Sequence, residues 1–239
     1  MMHGVRLLVW GEYASFNRPE MKVERVSYDV MTPSAARGIL EAIYWKPGMR
    51  WIVDAIHVLK PIRFTHVRRN EVSGKIPCKG SVAAAMKGRA AALGVAVETQ
   101  RQQRAAMILR DVAYGITAHI DVISEETGPN GQPNAHTGAK HIEMFKRRAS
   151  KGQYFHHPYL GTREFPAFFE LVEEFPPCPG SLSGKHDLGL MLNDIAFCED
   201  EKGNVIESSE GRRLTAVPRF FDACMLDGVI TVPPLGNQK

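Results

Sequence analysis

Thr32-Pro33 at one end and Trp45-Lys46-Pro47-Gly48 at the other bracket a segment that can only be one helix. Threonine accepts hydrogen bonds from the orphan amides of a first turn, and proline is at home there because its missing N–H costs nothing. Downstream, Pro47 cannot continue a helix and Gly48 frees the turn. Between these signals Ala36, Ile39, Leu40 and Ile43 recur at helical spacing, which predicts a helix over Pro33–Ile43. Extended runs flank it: Val5, Leu7 and Val9 alternate before it, Val26, Tyr28 and Val30 form a short second run, and Trp51 to Leu59 resumes an apolar strand pattern. The chain therefore opens strand, helix, strand.

The rest of its 239 residues extends that grammar. Residues 62–94 are rich in Gly, Ala, Lys and Arg, with few large apolar groups, and read as a mobile basic insertion holding one Ala-rich helical turn around Ser81 to Ala92. Ala106 to Ile123 returns to strand character, and Ser124 to His136 is a polar loop. Thr137 to Lys151 forms a second helix, with Ile142 and Phe145 inward and Lys146, Arg147, Arg148 and Lys151 mostly outward. From Phe155 onward, short apolar runs split by Pro166, Pro176, Pro177 and Pro179 suggest a C-terminal antiparallel sheet. The expected class is α+β, with residues 1–154 as one domain and 155–239 as a β-rich extension.

Charge is divided along the chain. From Lys60 to Arg110 eleven Lys or Arg face Glu71 and Glu98, a net of +9, whereas from Glu164 to Glu210 eleven acids face Lys185 and Lys202, a net of −9. The first stretch should attract phosphates and the second repel them. A second basic run, Lys140 to Lys151, carries a net of +4 in twelve residues. Such cations bind a nucleic-acid backbone without reading sequence, and Trp45, Phe155 and Tyr159 are candidates to stack on splayed bases.

Several classes are excluded. The apolar run Val5 to Trp10 is too short for a signal peptide or a membrane span, so a cytoplasmic protein is expected. Cys78, Cys178, Cys198 and Cys224 lie 100, 20 and 26 residues apart, without the CxxC pairs of a zinc or redox site. His136 and His141 are five apart rather than four, and His156-His157 adjoin, so no metal site is expected. Neither GxGxxG nor GxxxxGK[ST] occurs, which leaves no home for a nucleotide cofactor.

Four segments, in order, resemble one family: SYDVMTPSAARGILEAIYWKP at Ser27 to Pro47, LRDVAYGITAHI at Leu109 to Ile120, GAKHIEMFKRRASKGQ at Gly138 to Gln153, and PYLGTREF at Pro158 to Phe165. They are similar to the CRISPR-associated repeat-processing endoribonuclease of subtype I-C, the fifth Cas family, variant d, within the RAMP superfamily. The resemblance implies a ferredoxin-like (RRM-like) domain with a C-terminal antiparallel extension. It also implies a catalytic trio at Tyr44, within IYWKP, and at Lys140 and His141, within GAKH. RNA contacts are expected from Trp45, Lys46, Lys146, Arg147, Arg148 and Lys151, and from Arg163 in the LGTR loop.

The trio makes chemical sense without the name. RNA can be cut by its own 2′-hydroxyl once one group removes that proton, another protonates the leaving 5′-oxygen, and a third balances charge on the crowded phosphate. His141, with an ordinary pKa near ~6.5, suits proton transfer near neutrality; Lys140 suits the charge, and Tyr44 either orients the 2′-hydroxyl or serves as acid. The resemblance further implies that the substrate is the CRISPR repeat hairpin (pre-crRNA), cut at the 3′ base of its stem. The product's 5′ handle stays bound, and the backbone and large subunits of a type I-C interference complex (Cascade) are partners. Two rivals remain: a non-catalytic cap that only binds the handle, and a metal-dependent DNA nuclease, against which Glu71, Asp111 and Asp121 are scattered.

Overall fold

The computed structural model describes residues 4–21, 23–74, 80–89, 96–122, 138–199, 205–207 and 213–234. Its elements run β1 (Gly4–Ala14), β2 (Arg25–Val26), α1 (Pro33–Ile43), β3 (Met49–Val58), β4 (Phe64–Val72), α2 (Ser81–Met86), α3 (Val97–Gln100), β5 (Arg101–Val122), α4 (Gly138–Ala149), β6 (Phe168–Leu171), β7 (Lys185–Glu199), β8 (Val205–Glu207), β9 (Arg213–Leu226) and β10 (Val229–Thr231). The class is α+β: one large sheet, antiparallel except where β2 meets β5, with few helices.

α1 has the predicted bounds. The Thr32 hydroxyl accepts the Ala35 amide at 3.3 Å, Pro33 opens the first turn, and Ala36, Ile39, Leu40 and Ile43 are all buried. Val5, Leu7 and Val9 of β1 are buried on the side of the sheet that the helices cover. Phe145 of α4 meets Trp51 of β3 edge-on at 4.7 Å, both fully buried. Each such aromatic stabilises the helix–sheet contact by roughly 1.5–3 kcal/mol.

The main sheet path is β6-β1-β5-β3-β10-β9-β7, with β2 and β4 on β5 and β8 on β9. The C-terminal strands do not form a separate sheet. β6 pairs with β1, and β10 lies between β3 and β9, so the long β7–β9 hairpin continues the N-terminal strands. Short return strands reach partners far back in the chain, which local turn signals cannot reveal.

The expected mobile insertion is corrected in its first third. Phe64 to Val72 is strand β4, paired residue for residue with β5 from Phe64↔Leu109 to Val72↔Arg101. Its backbone ladder is supported by cross-strand ion pairs, with Glu71 reaching Arg25 at 2.8 Å and Arg104 at 3.7 Å, so no apolar alternation marks it. The Ala-rich helical turn is α2. Residues 75–79 and 90–94 of that segment, Ile123 at the end of the expected strand, the loop Ser124 to His136, and Thr137 lie outside the described residues. The second extended run shrinks to β2, with Tyr28 and Val30 buried beyond it.

On the sheet face away from the helices, Phe175 lies over Gly115, whose absent Cβ would sit 2.7 Å from the ring, and packs 4.7 Å from His57.

Candidate active site

Tyr44 caps α1. Its amide donates to the Leu40 carbonyl at 3.0 Å, and its own carbonyl accepts from the Trp51 indole N–H at 2.9 Å. With both backbone groups fixed and the side chain only 3% exposed, the hydroxyl has one place to be. It lies 2.9 Å from Nδ1 of His141, in the first turn of α4. Which group donates depends on the imidazole tautomer. Lys140, one residue earlier, is exposed.

Arg148 completes the junction. It was expected to point outward; instead its Nη1 donates to the Ile43 carbonyl at 3.2 Å and its guanidinium sits 5.5 Å over the Tyr44 ring. α1 carries no basic residue in its last turn, so a cation from another helix meets its electronegative end.

Beside this junction lies an open cleft of about 610 Å³ lined by Glu41, Tyr44, Trp45, Lys46, Arg148 and Phe155, with Pro47 and His156. In the sequence Glu41 carries no signal of a site, and His156 stands out only as an unsuited metal ligand beside His157. His156 is brought there because the amides of Phe155 and His156 both donate to the Ala42 carbonyl, at 2.7 and 3.4 Å. No local pattern encodes that tie.

The remaining candidates disperse. Arg147 and Lys151 are exposed on α4 and just beyond it. Lys146 turns to another groove, of about 660 Å³, which it shares with Arg6, Thr117 and Glu173. Arg163 is exposed in the turn after Gly161. Tyr159 lines a third groove, of about 300 Å³, with Thr32 and Ser34 at the opposite end of α1. Among the described residues, no three His, Cys, Asp or Glu side chains gather so as to hold a metal ion; His136 lies outside them. Also among the described residues, no helix is long and apolar enough to cross a membrane.

A tyrosine at the end of one helix and a histidine in the first turn of another meet beside a cleft that also holds Lys46 and Arg148, the make-up of a candidate nucleic-acid-processing site. The chain belongs to the Cas5 family of CRISPR-associated proteins, whose Cas5d family model matches residues 4–233. It is 51% identical to the CRISPR pre-crRNA endoribonuclease Cas5d of Mannheimia succiniciproducens, over 100% of this chain and 99% of that protein. It is 43% identical to the CRISPR pre-crRNA endoribonuclease Cas5d of Thermus thermophilus, over 100% and 95%. Among solved structures, a crystal structure of a CRISPR-associated protein is similar with a TM-score of 0.64 at 24% identity, covering 99% of this chain and 94% of that one. That likeness concerns the fold.

Proposed function

We propose that the protein is an endoribonuclease that cuts CRISPR pre-crRNA at the 3′ base of the repeat hairpin, without a metal ion, and keeps the 5′ handle bound. The observation that carries this reading is the 2.9 Å contact between the Tyr44 hydroxyl and His141 Nδ1 at the edge of a cleft holding Lys46 and Arg148. Full-length similarity to two proteins named pre-crRNA endoribonucleases supports it.

The 2′-oxygen next to the cut attacks phosphorus, the bond to the 5′-oxygen breaks, and the products are a 2′,3′-cyclic phosphate and a 5′-hydroxyl. The proton leaving the 2′-hydroxyl and the proton reaching the 5′-oxygen are handled by the coupled Tyr44–His141 pair. Lys140 and the positive end of the α4 dipole balance charge on the phosphate. Trp45, Lys46, Arg147, Arg148 and Lys151 hold the RNA around the cut, while Lys146 and Arg163 meet only RNA that extends beyond the cleft.

The fold reading is finer than α+β. With β2, β4 and the short helices α2 and α3 set aside, β1-α1-β3-β5-α4-β6 with sheet order β6-β1-β5-β3, all antiparallel, supports a ferredoxin-like core. Residues 1–154 then carry RNA binding and catalysis, and 155–239 form a β-rich extension that also closes the core's edge. As a cytoplasmic subunit the protein would hold the processed guide within a type I-C Cascade, beside its backbone and large subunits.

The test is incubation of the purified protein with its repeat RNA in EDTA, with both new ends mapped. Cutting that yields a 2′,3′-cyclic phosphate is expected. Binding without cutting would reduce the protein to a handle-binding cap, and cutting restored only by added metal would replace the mechanism.

A further inference from the structure

Two large aromatic rings at the cleft are not needed by the core. Phe155 is 85% exposed and Trp45 is 51% exposed. Exposed aromatics gathered in one concavity mark a binding surface more often than chance leaves them there. Neither ring stands on a loose tether. Trp45 directly follows Tyr44, both of whose backbone groups are bonded, and the Phe155 amide is held by the Ala42 carbonyl at 2.7 Å. One ring arrives from the end of α1 and the other from the segment after α4, and both line the same cleft.

The rest of the lining says what the rings face. Lys46 and Arg148 offer positive charge, and Glu41, anchored by Arg37 at 2.6 Å, offers a carboxylate. Aromatic faces take bases, cations take phosphates, and a carboxylate accepts from the amino groups of base edges. An unpaired nucleotide presents all three. Attack by a 2′-oxygen also requires it to line up opposite the leaving 5′-oxygen, which a base stacked on its helical neighbours prevents; pulling that base aside supplies the alignment.

Resting on the proposed RNA cleavage, we infer that Trp45 and Phe155 form a nucleobase-binding subsite that draws an unpaired base beside the scissile phosphate out of its stack. Both are positioning residues: they touch a base, not the reacting atoms.

The experiment places 5-iodouracil, which near-ultraviolet light crosslinks to an aromatic ring stacked on it, immediately 5′ or 3′ of the cut in the repeat RNA. A 2′-deoxy sugar at the attacking position keeps it intact. One of the two probes should crosslink to wild-type protein at Trp45 or Phe155, read by mass spectrometry of the joined peptide. Phe155→Ala and Trp45→Ala should each lose the crosslink at the removed ring and should slow single-turnover cutting of unmodified RNA about tenfold or more at saturating protein, while Phe155→Trp keeps both. If neither probe crosslinks to either ring while unmodified RNA is still cut, the subsite is overturned and the endoribonuclease reading stands. A crosslink with no cutting of unmodified RNA would support the subsite and sink the cleavage reading instead.

Discussion

Arg148 donates to the carbonyl oxygen of Ile43 at 3.2 Å, tying together two helices whose contacting residues are 105 apart in the chain. Because the same guanidinium lies over the Tyr44 ring, it holds the hydroxyl end of α1 against His141. Arg148→Ala should lower stability by about 1.5 kcal/mol, the typical size for a hydrogen bond to a charged donor, and should also slow cleavage. Arg148→Lys restores charge but not the planar donor set and should recover affinity more than rate. Urea denaturation beside single-turnover kinetics checks both; an unchanged rate in Arg148→Ala would detach the residue from the site.

Removing either partner of the central contact should silence chemistry while sparing binding. His141→Ala and Tyr44→Phe are each expected to lose about 100- to 10,000-fold in rate, with repeat-RNA affinity nearly intact. The phenyl ring of Tyr44→Phe keeps the burial of the original, so near-normal melting should accompany the loss. Lys140→Ala should damage both rate and, mildly, affinity. A wild-type rate in any of the three would remove that residue from the mechanism.

Exposed cations on and just beyond α4 should set the salt dependence of binding. Replacing Arg147 and Lys151 together by Ala should reduce the slope of log affinity against log salt by about 1.4, at roughly 0.7 per phosphate contact for single strands. Lys146→Ala, in its separate groove, should leave the slope unchanged for an RNA short enough to fill only the cleft. A slope indifferent to Arg147 and Lys151 would mean that this side of the helix faces away from RNA.

The attacking oxygen should belong to the RNA. One 2′-deoxy nucleotide immediately 5′ of the cut should stop cleavage while hardly changing binding, since a single hydroxyl contact is worth about 1 kcal/mol. The same substitution one position further away should be tolerated. Cutting of the first substrate at the usual phosphate would assign the attack to water or a protein group.

His57 should make stability depend on mildly acidic pH. Burial first, and then the charge of Arg6, hold its imidazole below the ordinary value. The unfolded chain therefore takes up that proton at a higher pH than the folded one, so this contribution is fully present above about pH 6.5 and is lost as pH falls through that value. Urea midpoints between pH 7.5 and 5 should fall less steeply for His57→Gln than for wild type. Parallel slopes would show that the imidazole gains its proton without penalty.

How much of this was legible beforehand depended on how local the physics is. α1 could be bounded to the residue because Thr32, Pro33 and Pro47 act on their own neighbours. β4 could not, because its charged side chains carry no apolar rhythm and its support comes from Arg25 and from β5, tens of residues away. Lys146, Arg147 and Arg148 read as one basic run, yet successive helical residues diverge by about 100°, and the fold sends them to a separate groove, to solvent and onto Tyr44. Tyr44 and His141 were singled out by family likeness; their meeting is a tertiary fact. The Phe155 and His156 amides bonded to Ala42 left no trace in any spacing rule.

Since Tyr44 and His141 stand 97 residues apart, the contact between them exists only while α4 stays seated on the sheet beside α1. Partial openings of a single element cost less than melting the whole molecule. On warming, the site should therefore go quiet while most strands remain paired. Catalytic rate followed against temperature would act as a thermometer for the seating of one helix, and a fever too mild to unfold the protein would already slow it.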